Sequence, residues 1–154
     1  MIRSPRRRKT VQARQIDGVL RIAIPADMSR ADEERWVAEL TSRFERRVRS
    51  ASVDLVERTE ALATRLGLPA PGSVTWVANQ QHRWGSCTPS TCALRISDRV
   101  AAFPPWVLDY VIVHELAHLV EPNHSPAFWR LVNRFSKAER ARGYLIAKGG
   151  EDPD

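Results

Sequence analysis

Residues 111–124 read VIVHELAHLVEPNH and continue an apolar run that begins at Trp106. A helix this apolar has to be buried, yet it carries two histidines and a glutamate. Burying such groups is costly unless something binds them. The chain has four histidines, and three of them stand at positions 114, 118 and 124. Pro104 and Pro105 stand just ahead of the run, where a helix tolerates the missing N–H, and Pro122 forbids its continuation. A fold for this chain must enclose one helix and still bring a loop histidine back to it.

His114 and His118 are separated by about 400° of helical rotation, so their rings share a face one turn apart. Two imidazoles placed this way can hold one zinc ion at about 2.0–2.1 Å each. Glu115 projects about 100° away from His114, which makes it a poor ligand for the same ion. It is instead placed to take a proton from a water that the ion activates. This is the H-E-x-x-H arrangement of metal-dependent hydrolases. A catalytic zinc also needs a third protein ligand and one open position. The chain turns back at Pro122 and Asn123 and delivers His124 six residues after His118. That spacing equals the one in metzincins, although those carry a glycine where this chain has Glu121, so the likeness to them is in spacing alone. Three histidines at ligand spacing around a glutamate outweigh the alternative of three hydrogen-bonded core histidines.

The remaining sequence places this helix in a mixed fold. Asp17-Gly18 between residues 10–16 and 19–24 is a hairpin signal. Helices are expected from Ser29 and over residues 53–66, the second closed by Gly67. Strands are expected at 74–79 and 93–97, then helices at 106–120, 126–135 and 137–148. The length of 154 residues fits one domain, taken as 10–148, with a disordered tail at 149–154. The net charge of +6 is concentrated at the start: Arg3, Arg6, Arg7, Arg8, Lys9 and Arg14 precede any acid. Residues 1–9 read as a flexible basic arm, a solubilising tail in the plainer reading and, in the sharper one, a weak, salt-sensitive attractor of nucleic acid or another polyanion. No aromatic residue interleaves these charges, so base stacking is not expected. No apolar run is long enough to span a membrane, and no secretory signal opens the chain, which makes the cytoplasm the expected location. Cys87 and Cys92 are too few for a disulfide framework and are expected as free, buried thiols.

The stretch NQQHRWGSC, residues 79–87, lies between two expected strands. Gly85 marks a bulge or a close backbone approach. Arg83, or less readily His82, is a candidate to stabilise the oxyanion formed when water attacks a carbonyl. Phe128 and Trp129 follow His124 and are expected to pack their helix on the core.

RWGSC followed by DYVIVHELAHLVEPNHSPAFW resembles the YgjP-like metallopeptidase family of bacteria. The resemblance is strong over about 73–144 and looser over the hairpin and first two helices. It implies an α+β fold, a minimal zincin-like domain with an N-terminal β-hairpin and helices and a small sheet packed on the metal-binding helix. It implies zinc held by His114, His118 and His124, Glu115 as general base, and a peptide or protein substrate. It also implies kinship with SprT-like and Spartan-type proteases, whose extra DNA-binding zinc modules this chain lacks. A nucleoside triphosphate pyrophosphatase activity is also associated with the family. For that reaction a glycine-rich phosphate cradle or magnesium-holding carboxylates are expected, and the sequence offers only Arg83 and Arg95. A nucleic-acid or partner-binding module with a structural metal is the third reading, and it leaves Glu115 without a use. The chain departs from the family pattern in a short loop after Cys87 and in Ser97, where many members carry asparagine.

Overall fold

Asp17 and Gly18 both adopt positive φ, 51° and 75°, the left-handed pair that a two-residue hairpin turn needs. In this computed structural model, which describes residues 1–149, they join β2 (Gln12–Ile16) to β3 (Val19–Pro25). A first strand, β1 (Ile2–Ser4), pairs parallel to the other edge of β3. Residues 2–4 of the segment expected as a flexible arm are thus paired as a strand. The pairing with β3 covers Ile2–Ser4, Arg3 donates to the Ala26 carbonyl at 3.0 Å, and its guanidinium pairs with Glu33. Charged composition made the segment look solvated, but charge on an edge strand is compatible with pairing. Helix α1 (Arg30–Ala51) starts where the Ser29 hydroxyl accepts the Asp32 N–H at 3.2 Å. Ile22 and Ile24 are buried, and Trp36, Leu40 and Phe44 form the half-buried stripe of α1.

The chain gathers into two compact units, Met1–Val48 and a second that begins at Arg49. The second contains α2 (Leu55–Leu66), β4 (Ser73–Val77), β5 (Gly85–Thr88), β6 (Ala93–Ser97), a 3₁₀ turn (Asp98–Ala102), α3 (Pro105–Ala117), α4 (Pro126–Val132) and α5 (Ala138–Gly149). The Asp54 carboxylate caps α2 by accepting the Glu57 N–H at 3.0 Å, which sets its start at Leu55. Gly67, at φ 63°, closes it, and the Leu68 N–H returns to the Ala63 carbonyl. In the second sheet β6 is central, parallel to β4 and antiparallel to β5. Cys87 and Cys92 are free thiols, but neither is buried as expected: Cys87 is half-buried and Cys92 exposed. Ser97 is buried and caps the 3₁₀ turn through the Arg99 N–H. The architecture is α+β, and no described helix is long and apolar enough to cross a membrane. The tail expected at 149–154 lies, past Gly149, outside the described residues.

Helix α3 is the axis of this unit. α2, α4, α5, β5 and β6 all pack on it, and from Val107 to Ala117 only Asp109 escapes burial. It ends at Ala117, three residues before the expected end. The Leu119 and Val120 N–H groups bond back to Leu116 and Ala117 at 3.1 Å, a tightened last turn. Pro122 enforces this, because the residue before a proline is pushed out of the helical region.

Candidate metal centre

His118 occupies the C-cap of α3 and keeps helical dihedrals, φ −66° and ψ −16°. Its ring therefore stays over that of His114, with centroids 5.0 Å apart. The loop after Pro122 brings the His124 ring to 5.3 Å from His114 and 4.9 Å from His118. One nitrogen from each ring lies within 4.8 Å of the others, and among the described residues this is the one such cluster of potential ligands. His114 is buried, His118 nearly so, and His124 is exposed, so the cluster has a closed floor and an open side.

The residues fit a metal ion. His114 Nε2 and His124 Nε2 stand 3.4 Å apart. Two ligands at about 2.0–2.1 Å from a tetrahedral centre are separated by about 3.3 Å. The tautomer of His118 is fixed as well. Its Nδ1 lies 3.1 Å from the Glu121 carbonyl, which can only accept, so Nδ1 carries the proton and Nε2 presents a lone pair. The tightened turn before Pro122 is what turns that carbonyl toward the ring.

Aromatic residues of α4 hold the rings in place. The Ser125 hydroxyl caps α4 by accepting the Phe128 N–H at 3.2 Å, so the helix begins directly after His124. Phe128 stacks on His118 at 4.4 Å, and Trp129 lies over His124 at 5.8 Å and 30°. The Arg142 guanidinium sits 4.5 Å from the Trp129 ring. The expected role of both aromatics was packing. Phe128 is buried and does pack, but both also touch rings of the histidine cluster. The signal was present in the sequence as their four- and five-residue distance from His124. Trp129→Ala is expected to weaken metal affinity about tenfold, as loss of an outer partner does. Competition with a chromophoric chelator, beside an unchanged circular dichroism spectrum, measures this.

Glu115 is 1% exposed and lies against the first residue of β5. A Cβ at Gly85 would stand 3.0 Å from Glu115 Oε1, 3.1 Å from its Cγ and 3.1 Å from Val111 Cγ1. Gly85 is thus the close backbone approach that its place in the sequence implied. Gly85→Ala must displace the carboxylate or the strand. A displacement on the order of 1 Å costs roughly 10²-fold in rate. The expected result is that loss in kcat/KM with metal content unchanged.

Residues 7–143 match the family model described as YgjP-like, metallopeptidase domain. The chain belongs to the YgjP-like metallopeptidase family. It is a hydrolase of the metallopeptidase class. A similar solved structure is that of the metallopeptidase zymogen of Pyrococcus abyssi abylysin, with TM-score 0.56 and 20% identity, covering 64% of this chain and 97% of that one. That likeness supports the fold. No curated protein shows a significant match to the chain.

In this YgjP-like domain the residues flanking Trp84 are arranged differently from one another. Trp84 is buried, edge-on to Phe103 at 5.4 Å. Arg83 and His82 are exposed, as is Arg95 on β6. Arg99 organises this segment. Its guanidinium lies 4.4 Å over the Trp84 ring and donates to the carbonyls of Gln80 at 2.9 Å and Arg83 at 3.1 Å. Gln80 Nε2 donates to Ser86 Oγ at 2.8 Å. Nothing in the sequence separates Arg99 from other surface arginines, because its partners are backbone carbonyls some 16 to 19 residues away.

Proposed function

We propose that the chain is a zinc-dependent peptidase with Glu115 as its general base. One juxtaposition carries the reading: three imidazole nitrogens converge within 4.8 Å beside a buried glutamate that lies under the edge strand β5. His114, His118 and His124 would hold the ion, and an all-nitrogen set of three suits zinc with one position left open. When bound, zinc supplies the Lewis acidity that makes water a nucleophile near neutral pH and polarises a carbonyl. Glu115 takes the proton of the attacking water and returns it to the leaving amine. Gly85, lacking a side chain, lets backbone rather than bulk lie over that carboxylate. β5 is the outer strand of its sheet, so its open edge can pair with an extended peptide. Arg83, exposed just before β5, is assigned the stabilisation of the developing oxyanion.

The same reading includes a domain spanning 10–148, a cytoplasmic location, kinship with SprT-like proteases and a weak pull on polyanions from the basic N-terminal segment. The test uses an unfolded protein such as casein. Cleavage should occur, stop in a chelator and return with zinc, and elemental analysis should find a single zinc per chain. Intact casein, with pyrophosphate released from a nucleoside triphosphate, would replace the peptidase reading with the pyrophosphatase one.

A further inference from the structure

A cavity of about 400 Å³ opens between the end of α2, the first turns of α3 and the corner between α4 and α5. That volume is within the range of small-molecule sites. Its charged lining comprises Arg65, Arg134, Lys137 and one acid, Asp109. Asp109 is already neutralised, because it accepts from Arg58 Nε at 2.5 Å. Among the described residues no carboxylate forms an ion pair with Arg65, Arg134 or Lys137. Three cations therefore face one small volume whose one lining acid is already paired with Arg58.

The arrangement is partly rigid. Arg134 Nη1 donates to the carbonyls of Leu66 at 3.0 Å and Gly67 at 3.1 Å, which fixes the guanidinium at the cavity wall and leaves its other N–H groups for a ligand. Lys137 immediately precedes α5, whose N-terminal end adds a favourable field for an anion. Trp106 and Phe135 supply apolar wall beside these exposed cations. None of the three clustered histidines lines the cavity, and Asp109 stands five residues, about 7.5 Å along the helix, before His114.

We propose that this cavity binds a compact multivalent oxyanion of the phosphate class, with Arg134 as the fixed donor and Arg65 and Lys137 as the mobile charges that close on it. Guanidinium groups match phosphate oxygens in pairs, and three cations around one centre favour charge concentrated on a single group over charge spread along a carbon chain. An occupant would tie α2 and the α4–α5 corner to the helix that carries the histidine centre, so the site is suited to setting the stability of that centre.

The test is calorimetric titration of the full chain with pyrophosphate at constant ionic strength, with citrate as the carboxylate comparison. Arg65→Ala and Lys137→Ala remove exposed side chains and leave the Arg134 contacts to α2 in place. Saturable pyrophosphate binding, weakened at least tenfold in the double variant and tighter than citrate, is the expected result. Pyrophosphate held elsewhere, the histidine centre included, would survive those substitutions. Unchanged affinity in the double variant, no saturable binding, or tighter binding of citrate would each overturn the proposal.

Discussion

Glu115→Gln should leave the metal in place and lower peptide hydrolysis by about 10²–10⁴-fold, the usual contribution of a positioned proton acceptor. The substitution keeps the shape of a side chain that is 1% exposed and wedged under Gly85, so the fold has no reason to change. What it removes is the capacity to accept a proton at that atom. The proposed metal ligands are the three imidazoles and not this carboxylate, so elemental analysis should read the same for variant and wild type. Hydrolysis near the wild-type rate would mean that the base is another group.

His124→Ala separates the centre from the fold in the opposite sense. Its ring is exposed on the loop after Pro122, so truncation opens no cavity in the core. If His124 is the ligand proposed, its loss should weaken metal binding by more than the roughly 100-fold upper range for outer partners. A metal at about 1,000 times its Kd stabilises the native state by about 4 kcal/mol. The wild type should therefore lose thermal stability in a chelator, while His124→Ala should melt at one temperature with or without it. A wild type insensitive to chelator would mean that the three histidines hold no stabilising metal.

The parts of this molecule that were legible in the sequence are those encoded by local spacing. The four-residue step from His114 to His118, the prolines at 104, 105 and 122, Asp17-Gly18 and Gly67 each specify geometry within a few residues, and the structure has those features in place. The parts that were not legible depend on distant partners. β1 is a strand because β3 lies beside it, although its own residues read as a charged tail. β5, with the sequence GSCT, has no β-branched apolar residue to announce it and exists because β6 pairs with it. The early end of α3 follows from a proline five residues on, whose effect reaches back through the tightened turn. Arg99 and Arg134 act on carbonyls far along the chain, which no local pattern records.

The missing side chain at Gly85 leaves no compressible layer between strand and helix. Displacement of the strand edge and displacement of the Glu115 carboxylate then become a single mechanical variable. On the proposed mechanism, a peptide that seats poorly on the edge would still bind, but it would drag the Glu115 carboxylate out of register with the water. Discrimination among substrates would thus be expressed in turnover rather than in affinity, with selectivity read in kcat while KM stays nearly level.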